Sequence, residues 1–197
     1  MTALKGLVLA GGNSSRMGQS KAKINWHGKE QQYYLADLLS SCCEDVFISC
    51  REDQTEQMEA KYKTITDRYE NGGPLEAILS AFEYFPDSAW LVLACDLPLM
   101  DLLTLNYLKQ QRGVSKIATA FESPVDSLPE PLAAIWETES YQVLKMYQQK
   151  EQLSLRQILI EHGAKTIKAP VSGALINVNT PDDAKRIREI LAKRTSI

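Results

Sequence analysis

The segment that determines the fold, residues 7–21, has the sequence LVLAGGNSSRMGQSK. Its apolar start predicts a buried strand, and Gly11 and Gly12 end that strand in a turn where no side chain blocks the backbone. Backbone amides in such a turn can point into one concavity and bind an anion. Arg16 and Lys21 follow closely, and both side chain types are common partners of phosphate. The segment therefore predicts a strand followed by a phosphate-binding loop.

The spacing of the glycines excludes two standard phosphate-binding motifs. The dinucleotide fingerprint requires Gly-x-Gly-x-x-Gly, and Asn13 after Gly12 breaks that pattern. The P-loop requires four residues before Gly-Lys-Ser/Thr, whereas Gly12 and Gly18 are separated by five and Gln19 follows. A turn whose glycines serve only steric needs is an alternative, but the two nearby cations favour a phosphate site.

Length, charge and cysteine content limit the class of protein. A chain of 197 residues is long enough for one α/β domain with a sizeable core, so residues 1–197 are predicted to form a single domain. Lys and Arg number 22 against 25 Asp and Glu, a balance that gives no support for a nucleic-acid partner. The four cysteines show no Cys-x-x-Cys spacing, which argues against structural zinc.

The apolar stretches of the chain are short. None approaches the ~18 residues of a membrane-spanning helix, so we expect no membrane partner. The N-terminal residues lack the pattern of a signal peptide. We therefore expect a protein of the reducing cytoplasm.

Short apolar runs alternate with longer helical patterns along the chain. This rhythm predicts an α/β fold with a mostly parallel sheet that is covered by helices on both faces. The predicted strands are Leu7–Ala10, Val46–Ser49, Thr64–Thr66, Leu91–Cys95, Ile117–Ala120, Leu132–Trp136 and Leu175–Val178. The predicted helices are Gln31–Leu39, Pro74–Tyr84, Leu102–Gln111, Ser140–Gln149, Ser154–Glu161 and Pro181–Lys193.

The last predicted helix has the clearest boundaries. Thr180 can cap its first turn, and Pro181 fits the first helical position. Its apolar residues fall on one face, which predicts that the helix docks on the sheet: Ala184, Ile187, Ile190 and Leu191.

Polar residues that follow predicted strands are candidates for a functional site, because ligands bind beyond the carboxyl ends of parallel strands. The run WLVLACD is apolar until Asp96, and Pro98 prevents the strand from continuing. A carboxylate beside a triphosphate would bind Mg²⁺, which takes one or two protein oxygens and the rest from phosphate and water. A loop or helix-capping role is the alternative for Asp96, with Asp101 competing for the cap of the following helix.

Two further strand ends carry candidate residues. Asp67 ends the run TITD and either faces a ligand or occupies an exposed turn. Asn177 and Asn179 lie in INVN, where an asparagine can orient a phosphate or a metal-bound water, or can take part in a capping turn before Thr180.

The pattern LAGGxSxRMGxxK at residues 9–21 strongly resembles the signature of nucleotidyltransferases that activate cofactors and sugars. Within that superfamily the chain is most similar to the molybdenum cofactor guanylyltransferases. Four later motifs recur in that family in the same order, so that the resemblance covers essentially the whole chain: TD at 66–67, GPLEAILSAF from 73, CDLP from 95 and INVNTPDDAKRI from 176. The resemblance implies a Rossmann-like three-layer sandwich of the nucleotide-diphospho-sugar transferase type.

The resemblance also implies the roles of individual residues. Arg16, Lys21 and Asp96 would be catalytic, and Asp96 would be the ligand of a Mg²⁺ cofactor. Asp67 would contact the base or ribose, and Ser49 stands where the family often presents an asparagine to the nucleotide. The nucleotide-binding set is thus Leu9, Ala10, Gly11, Gly12, Lys21, Ser49, Asp67 and Asp96.

Besides Ser49, the chain departs from the family pattern at two further places. The usual Gly-Lys-Pro-Leu is replaced by GKEQ at residues 28–31, and the small residue that is common after GPL is replaced by Glu76. Both departures bear on the identity of the acceptor.

The chemistry expected of such a site requires no general base. A terminal phosphate on an acceptor is already anionic near neutrality, because its second pKa is about 6. His27 and His162 lie in a turn and at a helix end, so neither is predicted to be catalytic. The positioning of two phosphates and the suppression of their repulsion would suffice.

The resemblance implies that the enzyme transfers GMP from GTP to the terminal phosphate of molybdopterin and releases pyrophosphate. GTP and molybdopterin would be its substrates, and other molybdenum cofactor biosynthesis proteins or apo-molybdoenzymes are candidate protein partners. The alternatives are a CTP-dependent molybdopterin cytidylyltransferase and another transferase of a nucleotide to a phosphorylated metabolite. A nucleotide-binding regulator without turnover is disfavoured, because it would not need both Lys21 and Asp96.

Overall fold

The structure is a computed structural model, and it describes residues 2–12, 20–69, 73–171 and 173–195. The described residues form one seven-stranded sheet with the strand order β3-β2-β1-β4-β6-β5-β7. Only β6 runs antiparallel to its neighbours within this sheet, so the predicted, mostly parallel α/β fold is confirmed. The strands are β1 (Leu4–Leu9), β2 (Val46–Cys50), β3 (Lys63–Thr66), β4 (Ala89–Ala94), β5 (Ala118–Glu122), β6 (Pro129–Trp136) and β7 (Lys165–Ile167).

Helices cover both faces of the sheet, as the predicted three layers require. They are α1 (Gln31–Ser40), α2 (Glu52–Thr55), α3 (Pro74–Tyr84), α4 (Leu102–Gln110), α5 (Ser140–Gln149), α6 (Leu155–Glu161) and α7 (Pro181–Thr195). On one face, Val8 and Leu91 pack with residues of α1 and α4. On the other face, Leu7 and Trp90 pack with residues of α3, α5 and α6. Adjacent strand residues therefore point to opposite layers, which explains the continuous apolar runs of β1 and β4.

None of the helices in the described part of the chain is both long enough and apolar enough to cross a bilayer.

The first strand begins earlier than the apolar run suggests. It starts at Leu4 and includes Lys5, which is buried. The Lys5 ammonium pairs with Asp45 at 2.9 Å and lies 4.7 Å from the centroid of the Phe85 ring. These partners compensate the buried charge and let the strand extend through a lysine.

The predicted strand Leu175–Val178 is wrong. Residues 173–175 form a turn, in which Ile176 N–H donates to Gly173 O at 3.0 Å. The seventh strand is instead β7, which pairs in parallel with β5. The apolar character of the 175–178 run reflects burial rather than strand pairing, because Val178 packs against Leu99 and Ile187.

The last helix is capped as predicted but docks elsewhere than predicted. Thr180 Oγ1 accepts a hydrogen bond from Asp183 N–H at 3.1 Å, and the Asp183 carboxylate accepts one from Thr180 N–H at 2.9 Å. The apolar face of α7 packs on loop residues such as Leu99 and Val178 rather than on the sheet. This packing holds the segment before α7 against the edge where the parallel strands end.

Candidate active site

A cavity of about 390 Å³ opens at the carboxyl ends of β1, β2 and β4. The start of α3 and the segments around residues 21 and 179 complete its wall. The structure brings every described member of the predicted nucleotide-binding set into the lining of this one cavity: Leu9, Ala10, Gly11, Gly12, Lys21, Ser49, Asp67 and Asp96. The predicted catalytic residue Arg16 lies outside the described residues.

Three polar side chains from distant parts of the chain meet in the cavity. Lys21 Nζ lies 3.5 Å from Asp96 Oδ2 and donates a hydrogen bond to Asn179 Oδ1 at 2.7 Å. The lysine begins the short 3-10 turn Lys21–Lys23, which is anchored by the buried Ala22. One positive charge is therefore held between two oxygens, and the same two oxygens could coordinate a divalent cation.

Asn179 takes part in the capping turn and also lines the cavity. Its backbone N–H donates to the Asp183 carboxylate at 3.0 Å, which belongs to the capping turn of α7. Its side chain points to Lys21 and lines the cavity. The capping geometry explains this orientation. The backbone N–H of Asn179 is used in the capping turn, so its side-chain amide can face the cavity.

Asp96 is a partly buried carboxylate at the end of β4. Burial raises its pKa above the usual range, and the Lys21 ammonium opposes this effect. It is not needed as a helix cap, because Asp101 caps α4 by accepting a hydrogen bond from Thr104 N–H at 2.8 Å. The negative charge of a buried carboxylate that is only partly neutralised by a neighbouring cation is stabilised when a further cation binds.

Asp67 is held against the glycine turn. Ser49 Oγ donates a hydrogen bond to Asp67 Oδ1, and a Cβ placed on Gly11 would lie 3.0 Å from Asp67 Oδ2. Burial raises the pKa of Asp67, the Ser49 hydrogen bond lowers it, and the charge of Glu76 raises it. Asp67 is therefore not an exposed turn residue, and glycine at position 11 is what lets the carboxylate approach so closely.

Arg51 anchors the turn from outside the cavity. Its Nη1 donates to Gly11 O at 2.9 Å, while Nε and Nη2 donate to the two carboxylate oxygens of Asp53 at 3.0 Å each. Ala10 N–H donates to Ser49 O at 3.0 Å. Arg51 is not among the site residues predicted from the sequence, although a charged residue directly after a buried strand is a signal that could have indicated it.

The first turn of α3 also faces the cavity. Gly73 and Pro74 line it, and the carboxylate of Glu76 accepts a hydrogen bond from Gly73 N–H at 3.1 Å. Glu76, which departs from the family pattern, thus caps the first turn of this helix through its carboxylate. The positive end of the α3 dipole adds to the favourable environment for an anion.

Neither histidine of the chain lies in the lining of the cavity. His27 Nε2 is 2.8 Å from Pro98 O, and its ring stacks on Tyr34. His162 follows α6, and its ring contacts Tyr147 edge-on. The structure therefore brings no histidine base to Lys21 and Asp96.

Comparison with known proteins finds relatives over most of the chain. Residues 6–167 match the family model described as MobA-like NTP transferase domain. The chain is 33% identical over 190 residues to the molybdenum cofactor biosynthesis bifunctional protein of Synechocystis, a match that covers 94% of this chain and 54% of that protein. The chain thus spans about half the length of this relative.

Two other relatives match over nearly their whole length. The chain is 30% identical over 189 residues to a probable molybdenum cofactor guanylyltransferase of Bacillus licheniformis, with 92% of this chain and 94% of that protein covered. The solved structure of molybdopterin-guanine dinucleotide biosynthesis protein A from Archaeoglobus fulgidus has a TM-score of 0.75 and 25% identity. That similarity covers 96% of this chain and 99% of the other.

Proposed function

Because the chain is a nucleotidyltransferase that belongs to the MobA-like NTP transferase family, we propose that it transfers GMP from GTP to the terminal phosphate of molybdopterin. The single observation that carries the proposal is the meeting of Lys21, Asp96 and Asn179 beside the glycine turn. The choice of GTP over the other triphosphates is supported by relatives whose names include guanylyltransferase. We also propose that residues 1–197 act as one nucleotidyltransferase domain.

The donor set of the cavity fits Mg²⁺. Asp96 and Asn179 supply two oxygens around the point that Lys21 now occupies. Mg²⁺ usually takes one or two protein oxygens and completes its shell with phosphate and water, so a set of two suits a metal that is shared with a triphosphate. When bound there, Mg²⁺ would polarise the α-phosphate and neutralise charge on the departing pyrophosphate.

The residues of the chain would act by positioning and charge. Gly11 and Gly12 line the cavity with the start of α3, and backbone amides of both segments would bind the triphosphate. Lys21 would leave Asp96 and contact the phosphates, which lowers the repulsion between the two anionic reactants. Such preorganised positive charge is the main means by which proteins catalyse phosphoryl-type transfer.

The reaction needs no proton removal at the nucleophile. An oxygen of the acceptor phosphate forms a bond to the α-phosphorus, and the bond from that phosphorus to the bridging oxygen breaks. Pyrophosphate leaves with the electron pair of the broken bond. The acceptor phosphate is ionised near neutrality, which agrees with the position of both histidines outside the cavity.

Thermal unfolding with each triphosphate tests this proposal. We expect GTP with Mg²⁺ to raise the Tm most, by about 5–10 °C at a concentration near 100 times Kd, from the mass-action gain of ~2.7 kcal/mol. A larger shift with CTP would favour the cytidylyltransferase alternative, and another triphosphate would indicate a different phosphorylated acceptor. No shift with GTP, CTP, ATP or UTP would contradict a nucleotide site. A shift without turnover of any acceptor would favour the regulator.

The pH dependence of GTP binding is expected to report on Asp67. We propose that its carboxylate accepts hydrogen bonds from the nucleoside, so affinity should fall as the pH drops through its raised pKa. Ser49→Ala removes the hydrogen bond that lowers this pKa, so the fall should begin at a higher pH than in the parent protein. At neutral pH the variant should bind GTP about 3- to 10-fold more weakly. Titration calorimetry across pH measures both effects, and an unchanged pH profile would contradict the role of Asp67.

The remaining expectations are proposals of the same kind. A cytoplasmic location is supported by the four cysteines, which are all free thiols in the structure. Molybdopterin is the proposed acceptor because the names of the relatives refer to its cofactor. Candidate protein partners are other cofactor biosynthesis proteins or apo-molybdoenzymes.

A further inference from the structure

The segment that follows Asp96 is buried but has no regular secondary structure. Residues 97–100 are all buried and connect β4 to α4. Outside a helix or a sheet, buried carbonyl groups need partners from turns, side chains or water, because an unpaired one costs free energy. Within this segment, Leu97 O accepts from Met100 N–H at 3.3 Å. Asp96 O itself accepts from Val178 N–H at 2.9 Å, and the contacts of residues 97–100 add to what holds Asp96 in place.

Three side chains from one stretch of the chain bond to these carbonyls. Gln31 Nε2 donates to Leu97 O at 3.1 Å, and Tyr34 OH donates to Met100 O at 3.4 Å. His27 Nε2 lies 2.8 Å from Pro98 O and must donate, because a carbonyl oxygen can only accept. The rings of His27 and Tyr34 are stacked with centroids 3.7 Å apart. We call the set His27, Gln31 and Tyr34 the carbonyl clamp.

Gln31 also connects the clamp to the segment that carries Lys21. Its backbone N–H donates to Ile24 O at 2.9 Å, directly after the turn Lys21–Lys23. Its side chain donates to Leu97 O, directly after Asp96. One residue thus bonds to both segments whose charged side chains lie 3.5 Å apart.

The burial of Gln31 is costly to the fold. The residue is 0% exposed, and its Oε1 has no hydrogen-bond partner among the described residues. A leucine would fill the same buried position without an unpaired oxygen. A buried group that is only partly satisfied requires an explanation beyond stability.

We propose that Gln31 is a positioning residue that sets the placement of Asp96 relative to Lys21, and thereby the affinity of the site for the metal–nucleotide complex. The inference rests on the proposed nucleotidyltransferase site. It extends that site because Gln31 is not part of the cavity lining. Outer residues that orient a metal ligand typically change metal affinity or activity by 10- to 100-fold when they are replaced.

The chain offers a matched control for the test. Gln32 is also buried, but its Nε2 donates to Glu30 Oε2 at 2.6 Å, within its own stretch. Gln31→Leu and Gln32→Leu therefore remove the same amide from adjacent buried positions. Only the first removes a bond to the segment after Asp96.

The experiment measures the Tm of each protein with GTP, first in EDTA and then over a series of Mg²⁺ concentrations. We expect Gln31→Leu to keep the shift seen in EDTA but to need about 10- to 100-fold more Mg²⁺ for half of the metal-dependent shift. Gln32→Leu should match the parent protein. Gln31→Met, whose flexible side chain fills the same space, repeats the test if the leucine variant does not fold.

The outcomes separate this inference from the function on which it rests. If the parent protein shows a metal-dependent shift and Gln31→Leu or Gln31→Met matches it, Gln31 has only a structural role and the inference is wrong. If the parent protein shows no metal-dependent shift, the proposed function fails and the inference fails with it. His27→Phe keeps a ring to stack on Tyr34 but lacks the donor, and it should raise the Mg²⁺ requirement in the same direction.

Discussion

Asp96→Asn is expected to reduce metal-dependent nucleotidyl transfer by about 1,000-fold or more, while the protein stays folded. Asparagine has nearly the same shape but cannot neutralise a divalent cation or the charge that develops on pyrophosphate. The loss of several kcal/mol of such stabilisation corresponds to about three powers of ten in rate. Because burial already disfavours the ionised form of Asp96, removal of its charge should leave the Tm unchanged or slightly raised.

A second aspartate on the same connection provides the control for this variant. Asp101 caps α4 five residues later, and asparagine is an equally good capping residue. Asp101→Asn should therefore keep transfer within about two-fold of the parent rate. Steady-state rates at saturating Mg²⁺ and GTP make the comparison, and a near-normal rate for Asp96→Asn would contradict its assignment as the metal ligand.

The largest effect on stability is expected from Glu137→Ala. Its carboxylate is 2% exposed and accepts two hydrogen bonds from Arg112, from Nε and Nη2, at 2.7 Å each. Removal of one partner leaves a largely buried guanidinium, 11% exposed, without its counter-charge, which typically costs about 3–5 kcal/mol. For a chain of this length the Tm should fall by roughly 6–20 °C.

Two controls make the stability prediction specific. Glu139 is exposed, so Glu139→Ala should change the free energy of unfolding by less than about 0.5 kcal/mol. The double variant Arg112→Met with Glu137→Leu removes both charges and should recover much of the loss. Denaturant unfolding measures all three variants. A loss below about 1 kcal/mol for Glu137→Ala would show that the pair is not a main source of stability.

The site of this pair explains why stability and activity should separate. Glu137 follows the C-terminal end of β6, which is antiparallel to β4 and therefore ends at the edge opposite to Asp96. Arg112 also donates to Thr2 O at 3.3 Å and ties the start of the chain to this edge. Folded Glu137→Ala should bind GTP with Mg²⁺ like the parent protein at a temperature well below its Tm.

The sequence predicts the elements whose signals are local. The apolar runs of β1 and β4 predict strands, and the glycines at residues 11 and 12 predict the turn that lines the cavity. These signals can be recognised because they depend only on neighbouring residues in the chain. The capping of α7 by Thr180 is likewise local and is predicted correctly. The strand Leu175–Val178 is predicted wrongly because burial against a loop gives the same apolar pattern as pairing in a sheet.

What the sequence does not predict depends on contacts between distant segments. Arg51 anchors a carbonyl 40 positions away, and Gln31 bonds to one 66 positions away, so neither has a local signature. The Lys21–Asn179 contact joins residues 158 positions apart, which is why spacing alone leaves Asn179 undecided. The docking of α7 on loops has the same cause, because its apolar face fits any buried surface.

The most direct measurement incubates the purified protein with Mg²⁺, molybdopterin and one triphosphate at a time, each labelled at the α-phosphate. If Lys21, Asp96 and Asn179 act together on one metal-bound triphosphate, the label of GTP should move into a molybdopterin dinucleotide with one pyrophosphate released for each transfer. The absence of labelled product with all four triphosphates would contradict a nucleotidyl transfer to molybdopterin at this cavity.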